Sequence, residues 1–175
     1  MTKMNSSKRT IKSFLITLLV LAFTHTFAQR PEAEIEKFIK DYAKAYENLS
    51  KTRDKESVLK YVSKDLFSTI IKSNVVDNFG LIQSSFADFD GYLDQILHTD
   101  GMEINYNVKS ILRSKVRGKT GVVVAEIDAQ VVSQGEIWNK GTEITTFTLK
   151  QFKSGWKILN FNVVSLEEEQ NKGTC

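Results

Sequence analysis

Cysteine, proline, histidine and tryptophan are nearly missing from this chain: of 175 residues, one is Cys, one is Pro, two are His and two are Trp. A single thiol, Cys175, closes no intrachain disulfide, so the fold must be held by burial. At the last position that thiol reads as an uninvolved chain end. His98 is the only histidine beyond residue 28, and with one terminal Cys it cannot build a zinc site. No spacing of Asp, Glu and His on one predicted element suggests another metal, and no cofactor is expected. There is no Gly-rich phosphate loop and no nucleophile elbow. These absences exclude most familiar enzyme classes.

Long apolar runs are also scarce. Phe14 to Phe23 is unbroken apart from Thr17, too short for the roughly 20 residues of a spanning helix. It follows Lys3, Lys8, Arg9 and Lys12 with no acid among them, and precedes Thr26 and Ala28 at the −3 and −1 positions of a cleavage site. This is the layout of a secretory signal peptide over residues 1–28, cut after Ala28, with one domain from residue 29 to 175. No membrane anchor is expected after cleavage, and the expected location is the periplasm or the exterior.

An excess of one charge is lacking too. The whole chain carries 24 Lys and Arg against 21 Asp and Glu, but four of the bases precede residue 29. The remainder holds 20 bases and 21 acids, interspersed along the predicted helices. A nucleic-acid partner needs a clustered basic surface, so none is expected. The Asn48-Leu49-Ser50 sequon falls on a helix end and is read as chance.

What is present is periodicity. Ile35, Phe38, Ile39, Tyr42, Tyr46 and Leu49 recur at offsets of three and four. They predict a helix over 31–49, opened by Pro31 and by Glu32, Glu34 and Glu36 at the positive end of its dipole. Val58, Leu59, Val62 and Leu66 predict a second helix over 54–66, capped by Asp54. Residues 67–83 are weakly patterned; Ser68 to Ile71 and Asn74 to Val76 could pair as a short strand. Phe89, Leu93, Ile96 and Leu97 predict a third helix over 88–98, stopped by Gly101.

From Met102 the period becomes two. Strands are predicted over 102–116, 121–132, 142–152 and 156–165, with a long loop over 135–141 and a tight turn at Lys153-Ser154-Gly155. Val123, Ala125, Ile127, Ala129 and Val131 form an apolar face. Val124, Glu126, Asp128 and Gln130 form the opposite, half-polar one. In the last strand, Trp156, Ile158, Asn160, Asn162 and Val164 alternate with Lys157, Leu159, Phe161, Val163 and Ser165. Apolar residues on both sides predict a central strand covered on both faces. The expected fold class is therefore α+β: N-terminal helices packed on a strongly curved antiparallel sheet around a cone-shaped pocket.

Three stretches carry a resemblance: residues 46–59, spanning helix, break, acidic cap and helix; residues 141–149; and Gly155-Trp156-Lys157-Ile158. Together they resemble the nuclear transport factor 2-like superfamily, with its cystatin-like cone fold, which includes ketosteroid isomerase, scytalone dehydratase and the SnoaL-like polyketide cyclases. The likeness implies that Tyr46 is similar to the isomerases' substrate-binding tyrosine. It places their Asp base near Ile70, where this chain has no carboxylate. The dehydratases' paired histidines have one counterpart at most, His98, which reads better as a cap on the negative end of its helix.

The pocket candidates are Tyr42, Tyr46, Trp138, Asn160 and Asn162. Trp138 would clasp a pocket rim or a second copy, or pack its own loop. Asn160 and Asn162 would face the cone, or bond to their neighbours. Glu126 and Asp128 are read as solvent-facing rather than as a carboxylate pair. No catalytic residue is assigned. The expected function is an exported non-catalytic module binding a small hydrophobic ligand or a protein partner. A homodimer through the sheet face is among the expected partners. The alternative is an isomerase, dehydratase or cyclase. The discriminator is whether a carboxylate or histidine lies in the cone beside Tyr46.

Overall fold

The computed structural model describes residues 30–167 except 75–77; the side chains of 72–81, 138, 139, 166 and 167 are also outside the description. The expected signal peptide and Cys175 lie outside the described residues. Helix α1 (Pro31–Thr52) opens with Pro in its first turn and ends at Arg53, whose left-handed backbone (φ 55°) lets its N–H reach Leu49 O. Its buried face is Ile35, Ile39, Tyr42, Ala43, Tyr46 and Leu49. A single turn, α2 (Glu56–Leu59), follows, with the Asp54 carboxylate accepting from the backbone of Glu56 and Ser57.

The predicted second helix stops there. Val62 and Leu66, read as helical, belong instead to strand β1 (Val62–Asn74), which pairs with β2 (Asn78–Ser85) in a hairpin. Helical spacing alone misleads here because β1 finds a partner distant in sequence, the last strand of the sheet, and pairing outweighs weak local preference. Helix α3 (Phe86–His98) starts at a capping box in which Ser85 and Asp88 satisfy each other's backbone N–H groups. Those bonds hold the Asp88 carboxyl below its ordinary value.

Four long strands complete the chain: β3 (Met102–Arg117), β4 (Thr120–Ser133), β5 (Glu136–Phe152) and β6 (Gly155–Glu167). The expected loop over 135–141 is short: Gln134 and Gly135 turn at positive φ, and β5 begins at Glu136. The order across the six-stranded sheet is β2-β1-β6-β5-β4-β3. All pairs are antiparallel except β1 with β6, which is parallel. The sheet is therefore mixed rather than purely antiparallel, and β6 is central as expected.

Register shifts interrupt β3–β4, β4–β5, β5–β6 and β1–β6, and such bulges bend a sheet. Its inner face receives α1, held across β3 by Glu32 and Glu36, which accept from Val116 N and Ser114 Oγ. One cluster joins Ile35, Tyr42, Val123, Ile127, Phe147, Trp156 and Ile158, with Phe38 packed against it. On β4, Val123, Ala125 and Ile127 are fully buried, as the alternation requires.

Candidate functional site

The shift between β5 and β6 decides what faces the interior. Thr148 pairs with Asn160 and Leu149 with Ile158, so Leu159 is an extra residue in β6. One extra residue reverses the alternation beyond it. Trp156 and Ile158 point inward before the bulge; Phe161, Val163 and Ser165 point inward after it. Asn160 and Asn162, expected to face the cone, are turned to the outer face instead. There Asn160 donates to Phe67 O at 2.7 Å and Asn162 to Asn160 Oδ1 at 2.9 Å. That outer face is not covered: Val164 is 39 % exposed.

Beyond the bulge the inner face encloses a cavity of about 300 Å³. Helix α1 contributes Tyr42 and Tyr46, β3 Tyr106, β5 Glu143, and α3 Phe89 and Tyr92. The hairpin adds Ser68, Ile70, Ile82 and Ser84, and β6 adds Phe161, Val163 and Ser165. Tyr42 and Tyr46 stack at 6.4 Å, Tyr46 meets Tyr106 edge-on at 5.0 Å, and Phe89 meets Phe161 at 5.8 Å. The Tyr46 hydroxyl lies 3.0 Å from that of Tyr92, which is partly open to solvent. Burial pushes all four phenols up; the charge of Glu143 adds to this for Tyr42, Tyr92 and Tyr106. They stay protonated at neutral pH and present O–H donors.

Of the expected pocket residues, the structure brings Tyr42 and Tyr46 together at the cavity and leaves Asn160 and Asn162 outside it. Trp138 lies on strand β5 rather than in a loop, and its side chain is outside the described residues. Ile70, where the resemblance places a base, does line the cavity. The carboxylate comes instead from Glu143, which periodicity could have found: it shares the inward phase of Thr145, Phe147 and Leu149. Tyr92 borders the apolar stripe of α3, three residues after Phe89 and four before Ile96, and the same spacing could have found it; Tyr106 sits in a strand of mixed pattern and did not stand out.

The other titratable groups lie elsewhere. Glu126 is held by Lys109 at 2.9 Å and Ser110 at 3.1 Å, and both bonds lower its pKa. Asp128 shares that outer phase. His98 is exposed, its Nδ1 2.7 Å from Asp94 O in the last turn of α3. A second, more open groove of about 620 Å³ is lined by Lys55, Lys60, Lys64 and Lys157 among others. Lys55 is bridged by Asp90 and Asp94, and Lys157 donates to Lys60 O. Among the described residues no group of three or more His, Cys, Asp and Glu could hold a metal, and no helix is long and apolar enough to cross a membrane.

No family model matches the chain. No curated protein matches it by sequence. Solved structures do match. A nuclear transport factor 2-like protein with a cystatin-like fold from Novosphingobium aromaticivorans aligns over 86% of this chain and 90% of its own, at 14% identity and a TM-score of 0.55. A nuclear transport factor 2-like protein from Cytophaga hutchinsonii aligns over 75% and 98%, also at 14% identity and 0.55. One of unknown function from Pseudomonas putida aligns over 82% and 92%, at 8% identity and 0.55. At such identities the likeness is one of fold: α+β, nuclear transport factor 2-like, with a cystatin-like helix-on-sheet arrangement. Function must be argued from the cavity.

Proposed function

We propose that this chain is an exported module that binds a small, largely apolar ring compound in the cavity between α1, α3 and the sheet. The observation that carries the reading is the lining: about 300 Å³ walled by tyrosine and phenylalanine rings with Ile70, Ile82 and Val163, and with hydroxyls and one carboxylate set among them. Small-molecule sites are built this way, apolar walls with a handful of polar groups to fix orientation. Phenols locked in the protonated form suit holding a ligand better than exchanging protons with it. Titration with N-phenyl naphthylamine is expected to give saturable fluorescence enhancement. Val163→Trp, which fills the cavity, should abolish it while circular dichroism stays unchanged. Enhancement that survives in a folded Val163→Trp protein refutes the site.

Glu143 favours a second reading. A carboxylate and phenol donors around one cavity are the parts of a proton-transfer enzyme of the isomerase, dehydratase or cyclase kind, where each positioned group contributes ~10²–10⁴-fold. Deuterium exchange beside the carbonyl of beta-tetralone tests it. Acceleration that is lost in Glu143→Gln establishes the enzyme; no acceleration leaves the binding module.

The basic N-terminal residues, the apolar run and the small residues at Thr26 and Ala28 support export, with mature protein beginning at Gln29. Intact mass of the exported protein checks this; retained Met1 refutes it. A second copy on the outer sheet face is the proposed protein partner. The cross-strand row Val122, Thr148, Asn160, Phe67 exposes apolar side chains at both its ends. Sedimentation should give a dimer that Val122→Glu dissociates.

A further inference from the structure

Resting on the binding reading above, we infer that Ser165 orients the ligand: the compound carries an oxygen or nitrogen on the edge of its ring, and that atom is seated against the Ser165 hydroxyl. Ser165 is 1 % exposed and lines the cavity, and its Oγ makes no hydrogen bond to any described residue. Among the described residues that line the cavity, it alone has a fully buried side-chain oxygen in that condition. Such a hydroxyl has given up water and found no replacement within the chain, which is rare in folded proteins unless something else completes it.

The neighbouring lining sets what that group meets. Ser165 faces inward because of the bulge at Leu159; in an unbroken strand it would face the opposite side. Its inward neighbours on β6 are Val163 and then Phe161. Residues two apart on a strand lie about 7 Å apart, so a two-ring compound lying over Phe161 and Val163 brings one edge to Ser165. Other hydroxyls of the lining are already engaged: Tyr46 with Tyr92 at 3.0 Å, and Ser68, which donates to Ser84 O at 3.4 Å. A serine hydroxyl both donates and accepts. The position therefore takes a hydroxyl, an ether or carbonyl oxygen or a ring nitrogen, and a bare hydrocarbon edge leaves it unmatched.

Two probes that differ by a single oxygen, naphthalene and beta-naphthol, test this by calorimetry, with parent protein or Ser165→Ala titrated into each. The ratio of the two affinities is the readout, because it cancels the ring contacts that both probes share. In Ser165→Ala the preference for beta-naphthol should fall about three- to tenfold, the factor that one hydrogen bond of about 0.7–1.4 kcal/mol provides, while naphthalene still binds. The melting temperature of the ligand-free variant should stay equal or rise, since the change removes a hydroxyl that nothing in the chain satisfies. A ratio unchanged by Ser165→Ala places the polar contact elsewhere, and a lowered melting temperature shows the hydroxyl engaged within the fold; either overturns the inference while the binding reading stands. No saturable binding of either probe to the parent protein overturns both.

Discussion

The two ends of the helix–sheet layer are made by the same elements, and they differ in chemistry. Along α1 the inward residues run from Ile35 and Ile39 to Tyr42 and Tyr46. Along β5, read backward, they run from Leu149 and Phe147 to Thr145 and Glu143. Along β6 they run from Trp156 and Ile158 through Phe161 to Ser165. One end is packed dry. A Cβ added to Gly121 there would lie 3.2 Å from Ile35 and 3.5 Å from Trp156, so a larger residue fits only where the Ile35 methyls give way by a few tenths of an ångström. The other end keeps a cavity edged with hydroxyls. The comparison teaches a division of labour: stability is concentrated where inward side chains interlock, and recognition where they stop short of one another.

The largest test of that division is alkaline. The buried phenols have raised pKa values, from an ordinary 10.0. A raised folded-state pKa gives stability that is complete below the unfolded value and declines as pH rises above it. The protein should therefore unfold above about pH 10, with tyrosinate absorbance of the cavity phenols appearing together with loss of circular dichroism. Ionisation of all five tyrosines in a folded protein would place the cavity end in solvent.

At the dry end, Trp156→Ala should cost about 3–5 kcal/mol in urea unfolding, the range for deleting a buried large aromatic. A loss below about 1 kcal/mol would mean that end is not packed. Gly121→Val should cost about 1–3 kcal/mol by overpacking against Ile35. A neutral result would show that the Ile35 methyls can yield. Smallest is Thr145→Val, between the two ends. Thr145 is fully buried, and its Oγ1 makes no hydrogen bond of normal geometry, although it lies close enough to the Tyr106 phenol to lower that group's pKa. The near-isosteric valine should change stability by under about 1 kcal/mol, in the stabilising direction, in the same urea assay. A clear loss would show that the hydroxyl is engaged.

How much of this could be read in advance depends on how local the cause is. Helices α1 and α3 and the inner face of β4 were legible, because a period of 3.6 or 2 is written into consecutive residues such as Ile35-Phe38-Ile39-Tyr42 and Val123-Ala125-Ile127. Tyr42 and Tyr46 were legible as cavity-side residues for the same reason. Glu143 was legible in principle, as a carboxylate in the phase of Phe147 and Leu149. Asn160 and Asn162 were misplaced because strict alternation was carried through Leu159, and nothing in that residue announces a bulge.

The sequence by itself determined the elements with strong periods, the balance of charge and the absence of disulfide, metal and phosphate motifs, since each of these is a property of residue identity or near spacing. Only the tertiary structure decided that β1 is a strand, that it runs parallel to β6, and that Ser165 and Glu143 share a cavity with Tyr46. The physical reason is that pairing and register are settled between residues some ninety positions apart, Phe67 against Asn160 for one, where a single extra residue reverses which side chains meet.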